Sequence, residues 1–147
     1  MAQPTIHTHT YQHFENLQLS AKDFYTQLHS LITEYQFPEV TCRVTPLSDN
    51  GSFFSRREYL EIKYHSFKYY VCAAPFGKNF FISWRLQEYV STWTRFSNWI
   101  EGKKGKSFYE QDTEVMFSNS ITALVKNVVG KVMEEHGFRQ PDAIVLH

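Results

Sequence analysis

From Tyr59 to Leu86 the chain changes character at every second residue, and its breaks are too short for anything but hairpins. Leu60, Ile62 and Tyr64 alternate with Tyr59, Glu61 and Lys63, the period of a strand with one buried and one outward face. His65 and Ser66 link this run to a second from Phe67 to Ala73, and Pro75, Gly77 and Asn79 break the chain before a third from Phe80 to Leu86. Such links leave no room for the crossover that parallel strands need, so neighbouring strands run antiparallel. An earlier alternation sets Val40, Cys42 and Val44 against Thr41, Arg43 and Thr45, followed by turn chemistry from Pro46 to Ser52. The sequence therefore predicts a four-stranded antiparallel meander.

Helical periods flank it. Ser20 at the N-cap, Asp23 in the place of the capping-box acid and Leu19 poised against Phe24 mark a helix start. Phe24, Leu28, Leu31, Ile32 and Tyr35 form its apolar stripe, and Pro38 ends it. After the fourth strand, Val90, Trp93, Phe96 and Ile100 predict a short helix, and Gly102 to Lys106 a basic loop. Asp112 or Thr113 then caps a long C-terminal helix, whose stripe of Phe117, Ile121, Leu124, Val125, Val128 and Val132 runs toward Gly137. Residues 1–16, with Pro4, His7, His9 and His13, keep no sustained period and are read as a mobile arm ahead of a single α+β domain over 17–147. A chain of 147 residues, 42% hydrophobic and 17% aromatic, suffices for one core.

Fifteen basic residues balance fifteen acidic ones, which removes the global field that draws a domain to nucleic acid and disfavours that class of partner. No apolar run approaches a membrane span. Two cysteines within strands, and no secretory pattern at the start, lead to the expectation of a reducing cytoplasm.

Sites of chemistry are sparse. His7 and His9 share a direction on an extended chain and His13 can reach back toward them, but only Glu15 is at hand as a further ligand, so a metal is not expected. Cys42 and Cys72 are too far apart for a redox pair and are read as core side chains. No Gly-x-Ser-x-Gly turn occurs, and Pro75-Phe76-Gly77-Lys78 joins two strands rather than cradling a phosphate, so no cofactor is expected. Two features point to binding. The sheet face with Tyr59, Glu61, Lys63, Phe81 and Arg85 alternates aromatics with charges, as an interface does. Trp93, Phe96, Trp99 and Ile100, followed by Lys103, Lys104 and Lys106, suit either a core-packed helix or contact with a partner or membrane interface.

The stretches Arg57-Glu58-Tyr59-Leu60, Cys72-Ala73-Ala74-Pro75-Phe76-Gly77 and Phe80-Phe81-Ile82-Ser83-Trp84-Arg85-Leu86, with Asp112-Thr113 and Met116-Phe117, resemble a group of small uncharacterised bacterial proteins. The likeness implies a bacterial setting. In element order the chain is similar to the ubiquitin-conjugating-enzyme and RWD type of fold, but the conjugating activity needs a cysteine beyond the fourth strand, and none follows Cys72. Secretion-chaperone-like folds, which wrap a sheet with helices around partner segments, are a second comparison. The sequence is thus read as a non-enzymatic protein-binding or assembly module that uses its sheet face or a helix face to hold a protein partner or its own twin. The alternatives are a small enzyme with a scattered acid/base or metal site, and a membrane-interface adaptor working through Trp93 to Lys106. Chemical denaturation of Ser20→Ala is expected to show a loss of about 1 kcal/mol through the missing cap.

Overall fold

The computed structural model describes residues 3–48, 56–90, 97, 99, 100, 102 and 107–136. Five strands, β1 (Gln3–Phe14), β2 (Thr41–Ser48), β3 (Arg56–Tyr64), β4 (Phe67–Phe76) and β5 (Asn79–Val90), form one antiparallel sheet in the order β1-β5-β4-β3-β2. Helix α1 (Ala21–Glu34) lies between β1 and β2, and helix α2 (Phe108–Glu135) follows β5. The meander is present as β2 to β5, but the sheet has a fifth strand where a mobile arm was expected. β1 pairs with β5 from Gln3↔Val90 to Phe14↔Phe80, with an irregularity between Ile6 and Thr8. Its core-side positions include Thr10 and Gln12 opposite Trp84 and Ile82, so polar residues occupy the places where alternation would have shown. Threonine is nonetheless a good strand former.

Other boundaries also move. β2 runs through Pro46 to Ser48, beyond the expected start of the turn. An edge strand tolerates this proline because its missing N–H need not face a neighbour. The long helix starts at Phe108 rather than near Asp112, with Ser107 Oγ accepting from Glu110 N at 3.2 Å. The expected short helix lies mostly outside the described residues, of which Ser97, Trp99 and Ile100 are helical. Gly137, the expected C-cap of the long helix, also lies outside them; the helix is capped at His136.

Both helices pack on one sheet face. Phe24, Leu28 and Ile32 of α1 share a core with Leu60, Ile62, Tyr69, Val71, Phe80, Ile82 and Trp84 of the strands. The whole predicted stripe of α2, from Phe117 to Val132, joins them. Phe117 stacks on Tyr64 and meets Tyr69 edge-on, while the Tyr69 hydroxyl pairs with Thr122 Oγ1 at 2.7 Å. The predicted cap of α1 is in place, with Ser20 Oγ accepting from Asp23 N at 3.1 Å.

The sheet forks at one end. The β3–β4 ladder runs from Tyr64↔Phe67 to Leu60↔Val71 and stops, while β2–β3 continues to Ser48↔Arg56 and β4–β5 to Phe76↔Asn79. In the same register Glu58 would face Ala73. There the Tyr25 hydroxyl of α1 accepts from Ala73 N at 2.9 Å and donates to Glu58 O at 2.7 Å, replacing the missing ladder bonds. Burial raises the pKa of this phenol, so it keeps its proton for that donation. Tyr25→Phe keeps the ring but strips both backbone groups of this partner, and equilibrium unfolding is expected to show a loss of about 1–3 kcal/mol.

Candidate functional site

The outward sheet face was the first candidate surface. Its phase is as predicted: Leu60, Ile62, Ile82 and Trp84 are core, and Tyr59, Phe81 and Arg85 stand half-buried on the opposite side. Cross-strand register then sets Arg43, Glu61, Tyr70 and Arg85 in one row across four strands. Glu61 is not an exposed binding residue, being only 5% accessible. Its carboxylate accepts from Arg43 Nε at 3.2 Å and from the Tyr70 hydroxyl at 3.1 Å, with Lys68 Nζ at 3.8 Å. Tyr59 meets Tyr70 edge-on, and Phe81 stacks on His13 at 4.5 Å while Phe76 approaches it from the side. Of the predicted set only Lys63 is exposed. These groups are largely spent on one another.

Cys72 also belongs to this face. It is buried as expected, yet it lies outside the helix-side core, where the nearby Arg57 and Tyr59 favour its thiolate. Burial outweighs these contacts and raises the thiol pKa. Burial pushes Cys42 up to about 12. Tyr69 is likewise raised by burial. Each of these groups is thereby held in its neutral form, the opposite of an activated nucleophile. The histidines of β1 are spread along an extended strand, and His9 and His13 are paired four residues apart, opposite Arg85 and Phe81. That spacing separates their Cα atoms by about 13 Å, so His13 does not reach back. Among the described residues no three His, Cys, Asp or Glu side chains cluster as metal ligands.

Sequence reasoning missed a second place. An apolar cleft of about 200 Å³ opens between the first turns of α2 and the connection from α1 to β2. Its floor is Tyr64, Phe117 and Ile121; Phe37 and Pro38 form one wall, and Tyr109 and Met116 the lip. The wall depends on unusual backbone. Gln36 and Glu39 hold φ of 52° and 60°, and His65 in the β3–β4 turn holds 53°. Non-glycine residues rarely enter this region, and they cluster where surrounding structure fixes a functional shape. Glu39 Oε2 pairs with His65 Nε2 at 2.9 Å, tying the wall to that turn.

Above the cleft, α2 overhangs the core. None of its residues before Phe117 is buried, and Phe108 is 86% exposed, Tyr109 80% and Met116 69%, with Val115 also open. Of the predicted Trp93–Lys104 contact set, Trp93, Phe96, Lys103 and Lys104 lie outside the described residues, and Trp99 is 77% exposed. No described helix is long and apolar enough to cross a membrane.

Comparison with family models, with curated proteins and with solved structures finds no match. The geometry therefore carries the functional reading alone.

The row around Glu61 yields an asymmetric expectation. Glu61→Ala removes the acceptor of both bonds from a buried position and is expected to cost about 1–3 kcal/mol in urea unfolding. Arg43→Ala removes a guanidinium whose side chain is 69% exposed. Its cost is expected to stay below about 1 kcal/mol.

Proposed function

We propose that this chain is a protein-binding or assembly module that docks through the exposed N-terminal face of α2. The observation that carries the reading is that four open apolar side chains, Phe108, Tyr109, Val115 and Met116, share the first turns of α2, and that two of them, Tyr109 and Met116, line an apolar cleft. A helix with no partner places such residues inward; contiguous apolar surface left in water is the usual mark of an interface. Interfaces concentrate their energy in a few aromatic or Met anchors around a pocket, which is the composition of this lip.

The sheet face is the weaker surface for this role, because Glu61, Tyr70 and Phe81 already serve as one another's partners. The enzymatic reading gains no support from thiols and phenols held neutral by burial. Two free cysteines suit a reducing compartment such as the cytoplasm.

Site-specific photo-crosslinking in the cells that make the protein tests this reading. Met116→benzoylphenylalanine is expected to give a discrete adduct, identifiable by mass, on irradiation. Lys126→benzoylphenylalanine, at an exposed position of the same helix away from the cleft, is expected to give none. Equal labelling from the two positions, or silence at 116 and at 109, would remove the support for this face.

A further inference from the structure

The middle of the outward sheet face is occupied by its own contacts, but its borders stand in water and carry a charge that the whole chain lacks. By alternation this face holds Arg43, Arg57, Lys63, Lys68 and Arg85 from β2 to β5. Of the acids in the described strands, Glu58 and Glu88 fall in the opposite phase, and Glu61 alone shares the face. One carboxylate offsets one cation, and Arg43 and Lys68 already converge on this one. Lys63 is left directly opposite Lys68 in the ladder, a placement of like charges that costs stability by itself. A chain of zero net charge thus keeps a positive sheet face among its described residues.

The exposed members of that set form a border. Lys68 and Arg85 are engaged within the chain, whereas Arg43, Arg57 and Lys63 are exposed, Arg43 with 69% of its side chain open despite the bond to Glu61. They lie on the adjacent strands β2 and β3, and Arg57 to Lys63 spans about 20 Å of extended chain. Aromatic rings occupy much of the rest of the face: Phe76 is 72% exposed and Tyr11 38%, with Tyr59 and Phe81 half-buried. A row of cations beside exposed rings is the pairing that single-stranded nucleic acid uses, with phosphates on the cations and bases on the π-faces. An acidic polypeptide would use the cations and leave the rings idle.

We propose that this face binds single-stranded nucleic acid, with phosphates along Arg57, Arg43 and Lys63 and bases against Phe76 and Tyr11. The track suits a short site of roughly four nucleotides. A phosphate beside Lys63 also relieves its repulsion from Lys68. This role is separate from docking at α2 and does not depend on it.

Fluorescence anisotropy of a labelled, mixed-sequence single strand titrated with the full chain is the test. Binding is expected to weaken as salt rises, with a log–log slope of about −2 for three phosphate contacts. Arg57→Glu combined with Lys63→Glu is expected to raise the dissociation constant at least tenfold, and Phe76→Ala to raise it about fivefold or more at an unchanged slope. Lys126→Glu, a charge reversal at an exposed position of α2, is expected to bind as the parent does. All of these proteins are expected to melt together; if the glutamate pair melts lower, Arg57→Ala with Lys63→Ala takes its place, with a loss of at least threefold. Absence of binding at low salt, an equal loss in Lys126→Glu, or a Phe76→Ala protein that binds as the parent does would each overturn the proposal. Polyglutamate and anionic lipid vesicles are added as competitors at matched charge. Displacement of the strand by either, as effective as that by unlabelled strand, would show a face that takes any polyanion and would overturn the assignment to nucleic acid.

Discussion

The sheet contains a place where its own hydrogen bonding gives out, and the arrangement of everything around that place follows from how the gap is filled. Beyond Leu60 and Val71, β3 follows β2 and β4 follows β5, so the two hairpins diverge. Backbone groups at such a fork cannot be left dry, because a buried unpaired N–H or C=O costs on the order of a hydrogen bond. The phenol of Tyr25 supplies one acceptor and one donor from the helix side. In doing so it sets the height and rotation of α1 on the sheet. That in turn fixes where α1 ends, and so where Phe37 and Pro38 stand as a wall of the cleft. A core contact and a surface feature at opposite ends of one helix are thus parts of a single mechanical arrangement.

The middle of the outward sheet face shows how a surface can look like an interface and still be structural. Glu61 is surrounded by cross-strand neighbours that supply a cation on one side and a phenol on the other. Low accessibility arises here because long side chains from adjacent strands lie over the carboxylate, and their hydrogen bonds offset its desolvation. Aromatic pairs on the same face stabilise the strands they bridge. By contrast, no residue of α2 before Phe117 is buried. Glu110 in the first turn complements the helix dipole, and the Ser107 cap gives the overhang an anchored start. The helix is held in shape where it has no core to lean on.

How much of this was legible in the sequence depends on whether the signal was local. The hairpins of β3 to β5 and the cap of α1 are written in short-range patterns and stand where those patterns place them, whereas Tyr35, the last residue of the expected stripe, is exposed at the helix C-cap and β2 runs past the expected turn at Pro46. β1 was hidden because Thr10 and Gln12 occupy core-side positions and a ladder irregularity interrupts it, so no period of two survives. The start of α2 was hidden because its apolar stripe begins at Phe117, although the Ser107-x-x-Glu110 spacing was a readable cap. Tyr25 sits at helical steps from Leu28 and Ile32, so its burial was readable, but its partners are backbone atoms of two later strands. The cleft was beyond reach for another reason: left-handed backbone at Gln36, Glu39 and His65 has no sequence signature when the residue is not glycine.

The pairing of β1 has a consequence for synthesis. Its residues are the first of the sheet to be made, yet the strand they complement is the last, since Phe14 waits for Phe80 and Gln3 for Val90. The hairpins between can close as they emerge, because their partners are near in the chain. β1 must remain unpaired through that interval, with its backbone donors and acceptors open to any extended segment it meets. It contains no Asp, Glu, Lys or Arg, so solvation of polar side chains is its chief protection. The threonines, glutamines and histidines that concealed this strand from a reading of periodicity are the same residues that keep a nascent edge in water until the sheet is complete.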